Sequence, residues 1–375
     1  MKITKSKCTG CGACSAACPK SAIRMEENLF AEKRPKVDKR LCVSCGRCEA
    51  VCPQNTPLAF SFPIRCFVLW SRHEDDWTFS ASGGAMPALA RAVCRQGGYV
   101  YGCDYSLSGE LAFSGTNESG SIDRFRSSKY SRGDAYPVFP EIKSRLQNGH
   151  TVLFVGTPCQ VAGLKRYLAK DYETLIAADL VCHGTPPNRY LLRHLKSQGV
   201  EPPFQRIRFR GEYDQQLTVW KDDGIIYQKS KDEDRYFRAF YANTISYDAC
   251  YSCAYAQAGR VSDLTLGDFW GLGELTTILP KSRRPSLLLI NTEKGANLFS
   301  RLTDEVICEE RSVEEGIGGN GRLNSPPGKS ETAKLFRGLY PLCGFSISVR
   351  LAFFLVRAFR ALKRRAKRLI KKQEK

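Results

Sequence analysis

The sequence predicts a mixed α/β (α+β) protein in three parts: a small cysteine-rich module, a larger domain of strands and helices, and a C-terminal amphipathic helix. Three observations lead to this prediction. A cysteine pattern repeats after 34 residues near the start, strand-like and helical patterns alternate from about residue 63 to 340, and apolar and basic side chains separate by face in residues 345–375. With 375 residues, 42% of them hydrophobic, the chain can bury a core and form two or three compact units.

The 17 cysteines bear on the redox compartment of the protein, and the net charge of +19 is unevenly distributed along the chain. The first residues lack the apolar run of a signal peptide, and no stretch approaches the roughly 18 apolar residues of a spanning helix. We therefore expect a cytoplasmic protein whose cysteines are metal ligands or reactive thiols. The charge is concentrated at the ends: residues 1–56 carry +6 and residues 345–375 carry +10, which leaves +3 for the rest.

The first module, residues 1–57, contains two copies of the run C-x2-C-x2-C-x3-C-P, which is typical of bacterial ferredoxins with two 4Fe-4S clusters. In such proteins three cysteines of a run bind one cluster and the fourth binds the other. We therefore predict two ligand sets, Cys8, Cys11, Cys14 and Cys52, and Cys42, Cys45, Cys48 and Cys18. Structural zinc is the alternative for paired cysteines, but two complete runs that each end in proline favour clusters.

The second part, residues 63–340, alternates buried strands with helices. Strands are predicted at Thr151–Val155 and Thr174–Val181, and each is followed by a helix, Gln160–Lys170 and Asn188–Gln198. This order with short connections indicates a parallel sheet covered by helices. Further predicted elements are a hairpin, Leu217–Trp220 with Ile225–Gln228 around an Asp222-Asp223-Gly224 turn, and strands near Leu264–Phe269 and Ser286–Asn291.

Four cysteines of this domain lie where a third site could form. Cys159 and Cys182 follow two successive strands, and ligands bind at the carboxyl ends of parallel strands. Cys250 and Cys253 add a closely spaced pair, so four thiolates could bind a third 4Fe-4S cluster. Alternatively, Cys159 and Cys182 are small core residues, or Cys159 is a redox thiol at a helix start. The other five show no ligand spacing and are interpreted as structural: Cys66, Cys94, Cys103, Cys308 and Cys343.

Five sequence blocks together resemble the beta subunit of coenzyme F-420 hydrogenases and dehydrogenases, over about Arg65 to Tyr340. They are Ser80-Ala-Ser-Gly-Gly-Ala85, Ser127-Ser-Lys-Tyr130, Val152-Leu-Phe-Val-Gly-Thr-Pro-Cys-Gln-Val-Ala-Gly-Leu164, Asp179-Leu-Val-Cys-His-Gly-Thr-Pro186 and Leu264-Thr-Leu-Gly-Asp-Phe-Trp-Gly271. The N-terminal ferredoxin module is similar to the fusion found in many members of this family.

The resemblance implies a flavoprotein that binds FAD beside a 4Fe-4S cluster and exchanges electrons between one-electron carriers and a two-electron partner. By position, Cys159, Cys182, Cys250 and Cys253 resemble the cluster ligands. Six further residues are similar to segments that line the flavin pocket: Ser82, Gly83, Gly84, Ser128, Lys129 and Tyr130. The family includes bacterial members in surface-polysaccharide gene clusters, so the resemblance implies flavin and clusters but not F-420 itself.

The C-terminal helix, residues 345–375, has a strongly amphipathic pattern. At 100° per residue one face holds Leu351, Leu355, Leu362, Ala366 and Leu369, and the opposite face holds Arg350, Arg357, Arg364, Arg368 and Lys371. This pattern is typical of helices in an anionic membrane interface. Packing of the apolar face on the domain or on a partner is the alternative, and nucleic acid is the less favoured partner because aromatic and basic residues are not interleaved.

The hypothesis from sequence is an iron-sulfur flavoprotein oxidoreductase. Electrons would pass between a redox partner, such as a ferredoxin or a reductase, the clusters and FAD, which would reduce or oxidise an unidentified substrate by hydride transfer. The alternative is a non-catalytic electron-transfer subunit that serves a partner enzyme. The position of the helix would place either protein at the inner face of the membrane.

Overall fold

The fold described here is that of a computed structural model, and it covers residues 7–211, 215–274, 284–302 and 304–373, with backbone alone for 366–373. The N-terminal module consists of a short helix, a hairpin and a second short helix. Their bounds are α1 (Ala13–Ala16), β1 (Ile23–Glu27), β2 (Lys33–Val37) and α2 (Arg47–Ala50). The repeated cysteine runs therefore take the same local structure twice, each with a left-handed glycine before its helix, Gly12 and Gly46.

The larger domain contains the remaining strands and all but one of the remaining helices among the described residues. In chain order they are β3 (Arg65–Ser71), α3 (Glu74–Phe79), α4 (Ala85–Arg95), β4 (Tyr99–Tyr105), β5 (Leu111–Thr116), α5 (Phe139–Gln147), β6 (Val152–Gly156), α6 (Pro158–Leu168), β7 (Leu175–Leu180), α7 (Asn188–Ser197), β8 (Arg206–Arg208), β9 (Gln216–Lys221), β10 (Gly224–Ser230), α8 (Arg235–Tyr241), β11 (Leu264–Asp268), β12 (Ser286–Ile290), α9 (Glu293–Phe299), β13 (Val306–Arg311) and α10 (Val313–Gly318).

Eight of these strands form one mixed sheet in the order β13-β3-β12-β11-β7-β6-β4-β5. The central strands β11, β7, β6 and β4 are parallel, and the outer neighbours pair antiparallel. The β6 and β7 strands are apolar along nearly their whole length because helices cover both faces of the sheet. The mixed α/β architecture and the predicted strands and helices around Cys159 and Cys182 are thus confirmed.

The predicted hairpin forms, but its turn differs from the prediction. Strands β9 and β10 are joined by Asp222 and Asp223 alone, and Gly224 already pairs with Lys221. Both aspartates have positive φ, 48° and 60°, which a two-residue turn between twisted strands requires. Aspartate tolerates this conformation, so the glycine was not needed inside the turn.

The last helix, α11 (Glu331–Gln373), begins earlier than predicted and is interrupted at Gly344, whose φ is 66° and ψ is −173°. Beyond the interruption the helix packs on the body through Phe345, Val349, Ala352 and Val356. The apolar face predicted from sequence is a different one: Leu351, Leu355 and Leu362 are exposed. The side chains of Ala366, Leu369, Arg368 and Lys371 lie outside the described residues.

Two apolar faces on one helix also change the expectation about membrane spans. Among the described residues, Glu331–Arg365 of α11 is long and apolar enough to cross a membrane by length and composition, with 33% of its most apolar window buried. The sequence analysis missed this segment because Arg350 interrupts the apolar run. The packed face holds the helix on the protein, so length and composition alone are weak grounds for a span.

Candidate functional site

The predicted ligands of the first ferredoxin cluster surround one small cavity. Cys8, Cys11, Cys14 and Cys52 line it, together with Thr9, Gly12, Ala13 and Met25. Burial raises the pKa of Cys11 to about 12 and that of Cys14 further, and the neighbouring thiols act in the same direction. Such thiols ionise only when a metal supplies positive charge, which is the state that a cluster needs. We call this group the inner ferredoxin site.

The predicted ligands of the second cluster, which we call the outer ferredoxin site, lie nearer the surface. Cys42 and Cys45 are exposed, whereas Cys18 and Cys48 are half-buried. Cys18 and Cys48 pack against the same small apolar cluster of Cys14, Ile23 and Met25. The structure therefore brings two of the four together and leaves the other two on an exposed loop.

A second cavity lies where the larger domain meets the N-terminal module. Its walls include Cys159, Cys182, Cys250 and Cys253, the four cysteines predicted to form a third site. We call it the middle-domain site. Thr9, which also borders the inner ferredoxin site, reaches this cavity too, so the two sites are adjacent.

The local fold explains how Cys159 reaches this cavity. Thr157 and Gln160 form a capping box at the start of α6, and Pro158 occupies its first turn. Gln160 also donates to the carbonyl of Gly133 at 2.8 Å, which ties the helix start to the neighbouring loop. Cys159 is thereby fixed beyond the carboxyl end of β6, beside the loop after β7 that holds Cys182.

The chemistry of the four thiols fits an iron-sulfur cluster. Burial raises the pKa of Cys182, Cys250 and Cys253, that of Cys250 to about 12, and the other thiols around the cavity add to the effect. No three His, Cys, Asp or Glu side chains within the described ranges converge on a single metal ion. A 4Fe-4S core takes one cysteine at each of four irons, so its ligands line a cavity instead of meeting at a point.

A charged side chain in this wall supports the same fit. Arg132 is only 6% exposed, and its Nη1 donates to the Cys159 sulfur at 3.2 Å. Its Nε and Nη2 atoms are buried without an acceptor. A buried cation without a counter-ion is costly, and a thiolate-bound cluster carries the negative charge that would compensate it.

A cavity larger than these two, here called the central cleft, opens beside the middle-domain site. It has about 1580 Å³ of free space, its solvent-open mouth included. Arg132, Cys182, Gly184 and Thr185 line both the cleft and the middle-domain cavity. Of the six predicted flavin contacts, five line the cleft: Ser82, Gly84, Ser128, Lys129 and Tyr130.

Gly83, the sixth, does not line the cleft and packs against the end of β3. Its carbonyl accepts from Ser71 N at 2.7 Å, and a Cβ there would stand 2.3 Å from the Leu69 carbonyl oxygen. Gly84 has φ +85° and is the N-cap of α4, and a Cβ on it would stand 2.9 Å from the Asp76 Cβ. These two close approaches place the α4 N-terminus at the cleft wall, where the positive end of the helix dipole favours a phosphate.

The cleft wall offers polar groups that have no partner within the described part of the chain. The hydroxyls of Ser80, Ser127 and Thr185 are buried and unpaired.

The cleft wall also holds a lysine. Lys129 donates to the carbonyls of Arg124 and Arg126 at 3.1 and 2.8 Å. Burial lowers the pKa of Lys129 to about 8, Cys103 and Asp104 oppose this shift, and Arg208 adds to it. An anionic cofactor with many acceptors, such as FAD, fits these residues.

At its mouth the cleft is built by residues that the sequence analysis did not assign. Arg210 forms an ion pair with Asp268 at 2.7 Å and donates to the Tyr130 hydroxyl at 2.9 Å. Trp270 and Tyr241 are partly exposed beside them. Asp268 lay in a quoted sequence block, but a long-range partner such as Arg210 cannot be read from local spacing.

A buried carboxylate fixes the N-terminal module on the larger domain, and it too was missed. Glu32 follows the β1–β2 turn and is almost fully buried. It accepts from Arg337 of α11 at 2.8 Å and from the Asp248 amide at 2.7 Å, two residues before Cys250. The docked module thus holds the inner ferredoxin site against the middle-domain site.

Two protein-family models match the chain. Residues 7–56 match the 4Fe-4S dicluster domain, and residues 149–316 match the C terminus of the coenzyme F420 hydrogenase/dehydrogenase beta subunit. Among solved structures, a chain of the F420-reducing [NiFe] hydrogenase complex from Methanosarcina barkeri is 13% identical, with 70% of this chain and 91% of that chain covered and a TM-score of 0.47. The search of curated proteins found no match.

The fold, the cysteine sites and the two family matches define an iron-sulfur protein of oxidoreductase type. Residues 149–316 carry the C-terminal domain of the coenzyme F420 hydrogenase/dehydrogenase beta-subunit family, and residues 7–56 carry a 4Fe-4S dicluster domain. Two predicted flavin segments, residues 80–85 and 127–130, lie outside the matched residues 149–316, so flavin binding there stays a prediction.

Proposed function

We propose that the protein is a flavin-dependent oxidoreductase in which three 4Fe-4S clusters connect a redox partner protein to FAD in the central cleft. FAD, when bound, exchanges two electrons with a substrate and single electrons with a cluster. The substrate is not identified by the site. A role in surface-polysaccharide synthesis stays a sequence-based prediction, and the sequence resemblance does not imply the use of F-420.

The observation that carries this proposal is the contiguity of three cavities. The inner ferredoxin site shares Thr9 with the middle-domain site, and that site shares Arg132, Cys182, Gly184 and Thr185 with the cleft. A redox protein needs its centres close together and shielded from solvent. The chain meets this need with cysteines from both domains, and the Glu32 contacts hold those domains together.

The two ends of this series of sites differ in their exposure and in the chemistry of their residues. The outer ferredoxin site lies on a loop whose residues 39–47 are all exposed, which suits exchange of electrons with a protein partner. The cleft end presents apolar walls, a lysine and unpaired hydroxyls, which suits a bound organic cofactor. We infer that the partner docks on the ferredoxin module and the substrate enters at the cleft mouth.

Flavin content distinguishes this oxidoreductase from the alternative, a non-catalytic electron-transfer subunit. Heat treatment of the anaerobically purified protein should release about one FAD per chain. Gly84→Ala should lower that amount severalfold and leave the iron content unchanged, because the new Cβ meets Asp76 at the cleft wall. Gly97→Ala is the matched control, since Gly97 follows the same helix with φ +74° and has open space around it.

Wild-type protein that contains three clusters but no flavin would favour the electron-transfer subunit. Equal flavin loss in Gly84→Ala and Gly97→Ala would show that backbone strain, and not the cleft, controls binding.

We also propose that α11 places the protein on an anionic membrane surface. Beyond Gly344 the helix exposes a continuous apolar stripe, of which Phe354 is 66% exposed. Its members recur at helical spacing and are Ile347, Leu351, Phe354, Leu355, Phe359 and Leu362. Arg350, Arg357 and Arg364, on the face opposite Leu351, Leu355 and Leu362, are also exposed, and together these features fit a lipid interface of negative charge.

Vesicle co-sedimentation tests the membrane proposal. The whole chain should bind vesicles that contain anionic lipid and bind zwitterionic vesicles at least tenfold less. Leu351→Ser with Phe354→Ser should abolish binding, whereas Leu342→Ser should not, because Leu342 is 84% exposed but lies before the interruption at Gly344. Unchanged binding by the double variant, or concentration-dependent dimers that the double variant abolishes, would contradict the proposal.

A further inference from the structure

Arg132 stands in the wall that separates the central cleft from the middle-domain site, and it borders both. Its Nη1 donates to the Cys159 sulfur at 3.2 Å. The guanidinium also lies 5.6 Å from the centre of the Tyr247 ring, which closes it off from solvent. A fixed positive charge therefore touches one predicted cluster ligand and faces the cavity predicted to hold FAD.

No carboxylate of the described residues compensates the charge of Arg132. Its Nε and Nη2 are buried without an acceptor, and no carboxylate of the described residues lies within 4 Å of it. Arg260 shows the usual arrangement in the same cavity wall: it is equally buried but pairs with Asp179 at 2.8 Å. The difference indicates that the counter-charge of Arg132 is supplied by what the two cavities bind.

Both expected occupants would supply that charge. A 4Fe-4S core bound by four thiolates is anionic and gains one more negative charge on reduction. A neighbouring cation stabilises the reduced form more than the oxidised form, so it raises the reduction potential. The free Nε–H and Nη2–H groups remain available to an acceptor in the cleft.

We propose that Arg132 is the shared counter-ion of the middle-domain site and the central cleft, and that it raises the reduction potential of the cluster at that site. It is a positioning residue for electron transfer, since it acts through Cys159 and takes no part in bond changes. This inference rests on the proposed function because it requires a cluster at Cys159, Cys182, Cys250 and Cys253.

A redox titration of the whole chain, followed by electron paramagnetic resonance, tests the proposal. The signal of the middle-domain site is identified as the one missing in Cys159→Ser. Arg132→Gln should lower its reduction equilibrium constant at least tenfold, which is about 59 mV for one electron. Arg132→Lys should lower it less, and the signals of both ferredoxin sites should not move.

Arg126→Gln is the matched control. Arg126 belongs to the same segment and is similarly buried, but its charge is paired with Asp76 at 3.1 Å and it does not line the cleft. Its substitution should leave all three potentials at their wild-type values. An equal shift in Arg126→Gln and Arg132→Gln would overturn the specific role of Arg132.

The remaining outcomes separate this inference from the proposed function. A third signal that keeps its wild-type potential in Arg132→Gln overturns the role of Arg132 and leaves the oxidoreductase intact. Absence of a third signal from wild-type protein refutes the cluster and therefore the proposed function. If Arg132→Gln loses the four irons of the site, Arg132→Lys becomes the deciding variant. A near-wild-type reduction potential in Arg132→Lys supports the counter-ion role of Arg132. A tenfold change in the reduction equilibrium constant, although the positive charge is retained, overturns that role.

Discussion

At the scale of single residues, burial and charge decide what each predicted site residue can do. We propose Cys159 and Cys250 as ligands of one cluster because both line the same cavity. Lys129 lines the cleft and is half-buried, and burial lowers its pKa to about 8, close to neutral pH. The sequence identified the residue types, and the structure adds their surroundings.

The lysine leads to a prediction about pH. Below pH 8 the Lys129 ammonium is charged and attracts an anion, and above pH 8 it becomes neutral, so affinity for FAD should fall as the pH rises. We expect a dissociation constant about tenfold higher at pH 9 than at pH 7, measured by quenching of FAD fluorescence in flavin-depleted protein. Lys129→Met should bind more weakly at pH 7 and lose the pH dependence, and a variant that retains it would contradict this role.

Residues missed from sequence share one property: their partners are distant in the chain. Arg132 meets Cys159, Arg210 meets Asp268, and Glu32 meets Arg337. Spacing rules work for the cysteine runs because ligands of one cluster are mostly local. No local pattern marks a buried arginine or glutamate, since exposed charges give the same sequence.

At the scale of elements, the contact between α1 and α6 joins the two domains. Gly163 of α6 faces Cys11, and a Cβ there would stand 2.9 Å from the Cys11 Cβ and 3.1 Å from its sulfur. The helix that begins beside Cys159 thus also carries the surface on which the inner ferredoxin site rests. Only a residue without a side chain allows this approach.

Substitution of this glycine gives the second prediction. Gly163→Ala should lower the free energy of unfolding by about 1 to 3 kcal/mol through overpacking and should speed the loss of the inner cluster in air. Gly338→Ala, in α11 with open space around it, should have no such effect on either measurement. Chemical denaturation and the decay of cluster absorbance are measured for both variants. Equal unfolding free energies and equal decay rates in Gly163→Ala and Gly338→Ala would contradict the role of Gly163 in packing.

Elements were predicted best where one periodicity dominates. Strands β6 and β7 were found within one residue of their starts because both faces of the sheet are covered and the apolar runs are unbroken. The alternative that the predicted apolar face of α11 packs on the domain is wrong, since Phe345, Val349, Ala352 and Val356 hold the helix while the stripe through Leu351 stays exposed. A helix with two apolar faces has no single amphipathic direction, and sequence alone cannot say which face the protein uses.

At the scale of the whole molecule, the two ferredoxin sites differ in burial, although their cysteine runs have the same spacing. The inner site is buried between domains, and the outer site lies on an exposed loop. The asymmetry orders the centres from the surface inward: outer ferredoxin site, inner ferredoxin site, middle-domain site and cleft. This order results from the docking of the N-terminal module on the larger domain, and the repeated cysteine runs alone do not predict it.

The central claim is that a third cluster connects the ferredoxin domain to the cleft, and iron content tests it most directly. Anaerobically purified wild-type chain should contain about twelve iron atoms, and Cys159→Ser should contain about eight. Cys94→Ser, which alters a buried core cysteine, should keep all twelve. Wild-type protein with about eight irons, or a Cys159→Ser variant that loses none, would contradict the account.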